Sequence, residues 1–351
     1  MIDKKEQDKL DLDNHPMKAI IGESEAIQNI KEEIKLVAPT DAQVLITGET
    51  GVGKNLIAKV IHEFHPRRRK YRFRRTNVGA LAPELASSLL FGHVRGAFTG
   101  AERTHEGIIV EADKGTLFLD EIATAASNVQ IMLLTLLEVS HINPVGGGKN
   151  HSKEIDIRII SATSLSTKKL LTMESFRQEL FFRLAEYIIE VPPLRKRRED
   201  IPLLARKFMQ KANAKIRLVD NQGFTPLVEM SEAAMDKLCC QYDWPGNVRE
   251  LEHVIRAAVV RSRKHSAHDT ILHEDWINFP NYAAENQESP WEIGLDGKVG
   301  LHEHVARFRY HLCMQALQKT GGNKTKAAKE LLKIDFDTLQ KYLSYKSQTH
   351  L

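Results

Sequence analysis

The stretch Gly48-Glu49-Thr50-Gly51-Val52-Gly53-Lys54 constrains this chain more than any other, because a G-x-x-x-x-G-K run is informative only between a strand and a helix. Both flanks are present. The apolar run Val44-Leu45-Ile46 reads as the entering strand and Leu56-Ile57-Ala58-Lys59-Val60-Ile61 as the departing helix. The glycines let the backbone turn tightly, so that successive N–H groups and the helix N-terminus face a polyphosphate. Lys54 then brings a mobile positive charge to the outer phosphates. This is chemistry for a nucleoside triphosphate, contacted by residues 48–55. Asn55 stands where the general pattern has Ser or Thr to ligate Mg²⁺, so metal binding must lean on another group.

That group is expected in Gly115-Thr116-Leu117-Phe118-Leu119-Asp120-Glu121, a short apolar strand ending in two carboxylates roughly 70 residues after Lys54. In a phosphate-loop protein the end of such a strand holds Mg²⁺ and orients the attacking water. Asp120 is therefore assigned to the metal and Glu121 to water activation.

Composition narrows the alternatives. A chain of 351 residues has room for two or three domains, and 42% hydrophobic residues can build ordinary cores. A net charge of +4 confines any nucleic-acid surface to a local patch. No run reaches the ~18 apolar residues of a membrane helix, and the first residues lack a signal peptide's apolar centre, so no membrane role and a cytosolic setting are expected. Cys239, Cys240 and Cys313 fit no zinc spacing and read as idle thiols in a reducing compartment.

Along the chain, residues 1–16 read as a polar tail, and from Ile20 to Val37 apolar residues recur at helical spacing (Ile27, Ile30, Ile34, Val37) until Pro39 ends the helix. The basic run 67–75 reads as a solvated loop feeding a strand through Phe73, with a nucleic-acid grip or a localisation signal as the alternative. Asn77 could hydrogen-bond a catalytic side chain from a strand end, or simply sit in a turn. A helix over 85–91 precedes Gly96-Ala97-Phe98-Thr99-Gly100-Ala101, a bendable loop whose Phe98 is either presented outward or tucked into the core. After a helix at 127–137, residues 145–149 read as a flexible insertion. Thr163 ends the next strand, where it could sense the γ-phosphate or cap the following helix. Arg177 and Arg183, six residues apart, are either surface arginines or the kind that ring-shaped ATPases insert into a neighbouring subunit's site. Helices at 201–213, 231–241 and 247–262 form a smaller lid, with a turn at 244–247. There Arg249 either reaches back to the nucleotide or stays a capping or surface residue.

Residues 281–300 lose periodicity and read as a linker. Beyond it nine Lys or Arg face four Asp or Glu in 301–351, a local surplus of five. A helix over about 301–319 and two short amphipathic segments, 324–332 and 335–343, have helix-turn-helix proportions, with a helical dimerisation module as the rival.

Together these residues resemble the bacterial enhancer-binding proteins that activate sigma-54 RNA polymerase, a branch of the AAA+ ATPases, over roughly 18–345. The likeness rests on GETGVGK, GAFTGA at 96–101, GTLFLDEI, FRQELFFRL, PPLRKRREDI at 192–201, WPGNVREL at 244–251 and a C-terminal segment like the Fis-type helix-turn-helix. It implies an α/β AAA+ core with a parallel sheet at 18–194, a helical lid at 195–280, a linker at 281–300 and a small all-α DNA-binding domain at 301–351, after a tail at 1–17. It further implies ATP and Mg²⁺ as ligands, assembly into a hexameric ring, and contact of Gly96, Ala97, Phe98, Thr99, Gly100 and Ala101 with sigma-54. By the same likeness Asn77 restrains the catalytic glutamate, Arg177 and Arg183 act in trans, and Arg249 is the lid sensor. Upstream enhancer DNA becomes the second partner, and a regulatory protein or related activator a third, because no receiver or other sensory segment stands before residue 18.

Some positions depart from that pattern. Ser164 replaces an Asn after Thr163, and Ser87, Leu89 and Val94 replace acidic residues before the loop at 96–101. Lys333 replaces a turn Gly, while Asp335 and Asp337 open the second helix. Lys324, Lys326 and Lys341, with Thr338, are left to meet DNA.

Overall fold

In the computed structural model, residues 16–148, 151–217, 226–262, 270–280 and 323–343 are described, with isolated positions 309, 312–313, 316–317 and 320. The tail and linker expectations fall largely outside these residues. Met17, expected in the tail, is instead buried beside Ile27 and Ile30 within the short helical turn Pro16–Ala19. The chain divides into two units, 1–278 and 279–351.

The first unit is built on five parallel strands, β1 (Val44–Thr47), β2 (Phe73–Asn77), β5 (Thr116–Asp120), β8 (Arg158–Thr163) and β9 (Tyr187–Glu190), in the order β2-β5-β8-β1-β9. Every residue of β1, β5 and β8 is buried, which is why β1 and β5 carry consecutive apolar residues rather than alternating ones. Two helices pack beside them, α1 (Glu25–Val37) and α2 (Lys54–Phe64). Helix α1 begins five residues later than its apolar periodicity suggests. Ser24 supplies the cap, its hydroxyl accepting the Ile27 amide and donating to Asp200 at 2.6 Å.

Two buried cations fix how helices meet the sheet. Arg158, on β8, is fully buried and donates to the carbonyls of Val37, Ala38 and Ala42 at 2.9–3.0 Å, so it caps the C-terminal carbonyls that α1 cannot satisfy itself. Burial pulls its pKa down to about 10, which leaves it charged. Arg68 corrects the reading of residues 67–75 as a solvated loop. It is 3% exposed, and its guanidinium is shared between Asp41, Asp156 and the Gly115 carbonyl.

The rest of the first unit comprises α3 (Pro83–Phe91), the hairpin β3 (Gly92–His93) with β4 (His105–Glu106), α4 (Ser127–Val139), the hairpin β6 (His141–Ile142) with β7 (Lys153–Glu154), and α5 (Gln178–Leu184). The lid follows as α6 (Ile201–Arg217), α7 (Glu232–Cys240) and α8 (Asn247–Ser262). Among the described residues no helix is long and apolar enough to cross a membrane.

In the second unit, positions 309, 312, 313, 316 and 317 are helical, helix 324–332 follows, and α9 (Phe336–Leu343) ends the described chain. Cys313, Ala328 and Leu339 form its small core. Lys333 makes the turn with φ of 52°, a conformation that suits glycine and taxes lysine by roughly 1 kcal/mol.

One buried histidine makes the first unit sensitive to acid. His62, on α2, is 5% exposed, with Nδ1 2.9 Å from the Thr116 hydroxyl, and burial pushes its pKa down to about 4. The unfolded chain takes up a proton near pH 6.5 that the folded chain refuses. Stability contributed by the neutral ring is therefore complete above that value and lost as pH falls toward 4. In urea titrations His62→Gln is expected to reduce the loss of stability between pH 7 and pH 4.5 by about 2 kcal/mol. An identical pH dependence in both proteins would contradict this.

Candidate active site

The phosphate loop is a backbone turn that depends on Gly51 and Gly53, the first for close packing and both for their dihedral angles. Gly51 has φ of 85°, and a Cβ there would lie 2.2 Å from the Gly246 carbonyl of the lid. Gly53 has φ of 113° as it starts α2. Lys54 is only 6% exposed, its ammonium donating to the carbonyls of Gly48 at 2.6 Å and Glu49 at 3.2 Å. Burial pulls its pKa below the usual lysine value, opposed by the charges of Glu121 and Asp120. A lysine held in this way is poised to exchange carbonyl partners for phosphate oxygens.

A cleft of about 390 Å³ opens at the loop. Into it come Thr50, Gly51, Gly53, Lys54 and Asn55 from the loop, Asn77 and Asp120 from adjacent strand ends, Glu121, and Arg249 from the lid. Asn77 and Asp120 are register partners across β2 and β5. Gly48, Glu49 and Val52 shape the loop from behind. Glu49 accepts both guanidinium nitrogens of Arg195, and the Val52 carbonyl accepts from Arg197 at 3.0 Å. Arg249 reaches the loop through its backbone, its amide donating to the Gly51 carbonyl at 3.2 Å.

Glu121 has φ of 53°, strained for a carboxylate residue and worth roughly 1–3 kcal/mol. Its side chain is not joined to Asn77 by any hydrogen bond among the described residues. Instead Oε2 accepts from the amide and the hydroxyl of Ser164, at 3.2 and 3.0 Å. Thr163 is fully buried outside the cleft, and its hydroxyl accepts the Leu165 amide at 3.1 Å. In this arrangement the Thr163 hydroxyl caps the turn that follows its strand, and the neighbouring serine holds the carboxylate. Arg75 is the other residue that sequence reasoning missed. It lines the cleft, and its Nη2 lies 2.9 Å from Asp120 Oδ2. Strand alternation placed it on the face of Asn77, but the basic run concealed it.

Among the described residues no cluster of three or more His, Cys, Asp or Glu could enclose a metal. Asp120 nonetheless fits Mg²⁺, which is usually held by one or two carboxylates plus substrate phosphates.

Arg177 and Arg183 lie away from this cleft. Arg177 starts α5, its amide donating to the Gln130 side chain at 2.9 Å, while the amide nitrogen of that buried glutamine ties the carbonyls of Ala125 and Ser175. Arg183 is exposed, 3.9 Å from Glu138, and Phe182 beside it is 67% exposed.

The loop at 96–101 crowns the first hairpin, with φ of 82° at Gly96 and 100° at Gly100 and a Gly96 amide to Ala101 carbonyl bond of 2.9 Å. Phe98 is presented outward, 40% exposed, with its ring centroid 5.0 Å from that of His93 in an edge-to-face contact. The expected flexible insertion is instead pinned here. Val145 pairs with Gly92 and Val94 at 2.9 and 3.1 Å, and Gly146 sits so close to Ala97 that a Cβ would approach it to 2.6 Å. Lys149 lies outside the described residues.

In the second unit, Lys324, Lys326 and Lys341 are exposed along the two helices. Asp335 caps α9 by accepting the amide of Thr338 at 2.7 Å and its hydroxyl at 2.6 Å, which holds its carboxyl below the usual range. The Thr338 hydroxyl proton is thereby spent within the helix rather than offered to DNA.

Comparison with known proteins places the chain. Residues 20–190 match the Sigma-54 interaction domain family and residues 195–289 the AAA+ ATPase lid domain family. The chain is 40% identical over 312 residues to the transcriptional regulatory protein ZraR of Escherichia coli K12, covering 89% of this chain and 65% of that protein. It is 38% identical over 320 residues to the regulatory protein LuxO of Vibrio cholerae, covering 89% and 58%. A crystal structure of NtrX from Brucella abortus in complex with ADP aligns at a TM-score of 0.66 and 28% identity, over 97% of this chain and 72% of that one. The chain thus spans about two thirds or less of the curated relatives it matches.

The Ser164 contact predicts a measurable restraint. Ser164→Ala removes one of the two donors on Glu121 and should raise the rate of ATP hydrolysis by roughly threefold to tenfold while leaving ADP affinity unchanged. A slower or unchanged rate would show that the contact does not hold the carboxylate back.

Proposed function

We propose, from the matches of residues 20–190 to the Sigma-54 interaction domain family and of residues 195–289 to the AAA+ ATPase lid domain family, an ATP-driven activator of sigma-54 RNA polymerase acting in the cytosol. The observation that carries this reading is the convergence of Lys54, Asp120, Glu121 and Arg249 on one cleft between loop, strand ends and lid.

Lys54 and the loop amides hold the phosphates, and Asp120 would hold Mg²⁺, which would supply neutralisation of phosphate charge. Glu121 accepts the proton of the attacking water once it leaves Ser164. Arg177 and Arg183 stand outside their own cleft, so they serve a neighbour's. The exposed Phe182 between them gives that contact an apolar anchor, in keeping with a ring, hexameric by resemblance.

The cleft has a direct line to the loop. Asn77 and Glu121 each lead into a single helical turn, 78–80 and 122–124, and a Cβ at Gly79 of one would lie 2.5 Å from the Thr124 hydroxyl of the other. These turns feed α3 and α4, which Asn128 joins through Ser87 at 3.0 Å, and α3 runs straight into the hairpin under 96–101. Hydrolysis displaces that assembly and drives Phe98 and Thr99 against sigma-54 to remodel the closed promoter complex. Lys324, Lys326 and Lys341 hold phosphates of an upstream enhancer, with Thr338 as an acceptor in a Fis-like helix-turn-helix.

A second reading is a regulatory subunit of a mixed ring, in which a related activator in trans supplies full activity. The Arg75–Asp120 contact favours it, because a guanidinium on the metal carboxylate opposes metal binding.

Transcription from a sigma-54 promoter in vitro, with this protein as sole activator, separates the two. The wild type is expected to drive open-complex formation with ATP. Glu121→Gln should bind ATP within about threefold of wild type yet hydrolyse it at least 100-fold more slowly. Normal turnover by that variant removes Glu121 from the mechanism, and an inert wild type that gains activity only beside a second activator favours the regulatory subunit.

A further inference from the structure

Arg75, Asn55 and Asp120 form a closed triangle on the floor of the cleft. Arg75 Nη2 donates to Asp120 Oδ2 at 2.9 Å. With the Asn55 amide oriented to satisfy its neighbours, its nitrogen donates to that same oxygen at 3.0 Å and its oxygen accepts from Arg75 at 2.7 and 3.1 Å. Asp120 is 7% exposed, so its charge needs a counter-ion, and Arg75 supplies one without any ion from solution. Half of the arginine side chain remains accessible from the cleft, and its Nε has no partner among the described residues. A guanidinium anchored in this way through Nη1 and Nη2 keeps its Nε–H and the outer Nη1 hydrogen for phosphate oxygens.

We propose that Arg75 is a built-in cation of the nucleotide site: it stands on the carboxylate where a divalent ion would sit and binds the phosphates itself, so that the cleft takes a nucleoside diphosphate without requiring the ion. Mg²⁺ must dehydrate and displace a charge-assisted hydrogen bond to reach Asp120, whereas the arginine is already in place. The remaining balance agrees. Lys54, Arg75 and Arg249 face the cleft. Of the three carboxylates there, Asp120 is paired with Arg75, Glu121 is turned onto Ser164, and Glu252 is paired with Lys211 at 2.7 Å. Incoming phosphates therefore meet fixed positive charge. The proposal rests on the nucleotide reading given above and adds Arg75 to it.

Calorimetric titration of the full chain with ADP, in EDTA and in excess Mg²⁺, tests it. Chelation is expected to change the wild-type affinity by less than about threefold. Arg75→Ala should bind ADP at least about tenfold more weakly than wild type in EDTA, and Mg²⁺ should restore most of the loss by occupying the vacated carboxylate. Arg75→Lys, which keeps the charge and loses the fork, should fall between them, and it supplies the comparison if the alanine variant does not fold. Wild-type binding that vanishes in EDTA, with Lys54→Ala abolishing the Mg²⁺-dependent binding, would keep the nucleotide site and overturn the role of Arg75. Variants matching wild type in EDTA would also overturn it. A wild type that binds ADP in neither condition would remove the nucleotide reading and this proposal with it.

Discussion

The phosphate loop is clamped by residues nearly two hundred positions away, and the site depends on that clamp. Asn247, at φ of 54° and fully buried, donates to the Thr50 carbonyl at 3.1 Å and to Glu49 at 3.2 Å, while its own oxygen accepts the Leu194 amide at 2.7 Å. The Arg249 amide takes the Gly51 carbonyl, and Arg197 takes that of Val52. These contacts differ in weight. The Arg195–Glu49 pair is more than a third exposed on both sides and contributes at most about 1 kcal/mol. Loss of the buried amide would leave several groups unpaired at about 1–3 kcal/mol each. Asn247 is therefore the principal tie between loop and lid.

A loop held in this way carries the state of its ligand outward. Any shift of Gly51 is felt at Gly246 and Arg249, because the glycine leaves no room for even a methyl group between them. On the opposite side, Asn77 and Glu121 leave the cleft through two touching turns that feed the helices beneath the hairpin of 96–101. Packed elements of this kind move between discrete arrangements rather than deforming smoothly. The left-handed Glu121 and the edge-docked Phe98 sit at the two ends of that path.

What could be read from the sequence was contiguous. Gly48–Lys54 and Thr116–Glu121 carry their meaning in neighbouring residues, where turn chemistry follows an apolar run, and the structure brings both to one cleft. Arg68 and Arg75 could not be read that way. The burial of Arg68 and the partners of both depend on Asp41, Asp156 and Asp120, which lie 27, 88 and 45 residues off, and on β2 lying beside β5 rather than at another edge. A basic run is a local signal of solvation, and non-local ion pairs overrode it. Thr163 and Ser164 show the same limit at finer grain. A strand end names the region, but the turn after it decides which hydroxyl faces the carboxylate.

Hydrogen exchange on the full chain, with and without ADP, tests most directly whether loop and lid respond as one body. Tight coupling predicts that the amides of 48–54 and of 247–252 slow together when nucleotide is added, and that Asn247→Ala confines the slowing to 48–54. Protection of the loop with the lid amides unchanged in the unmodified protein would contradict the account.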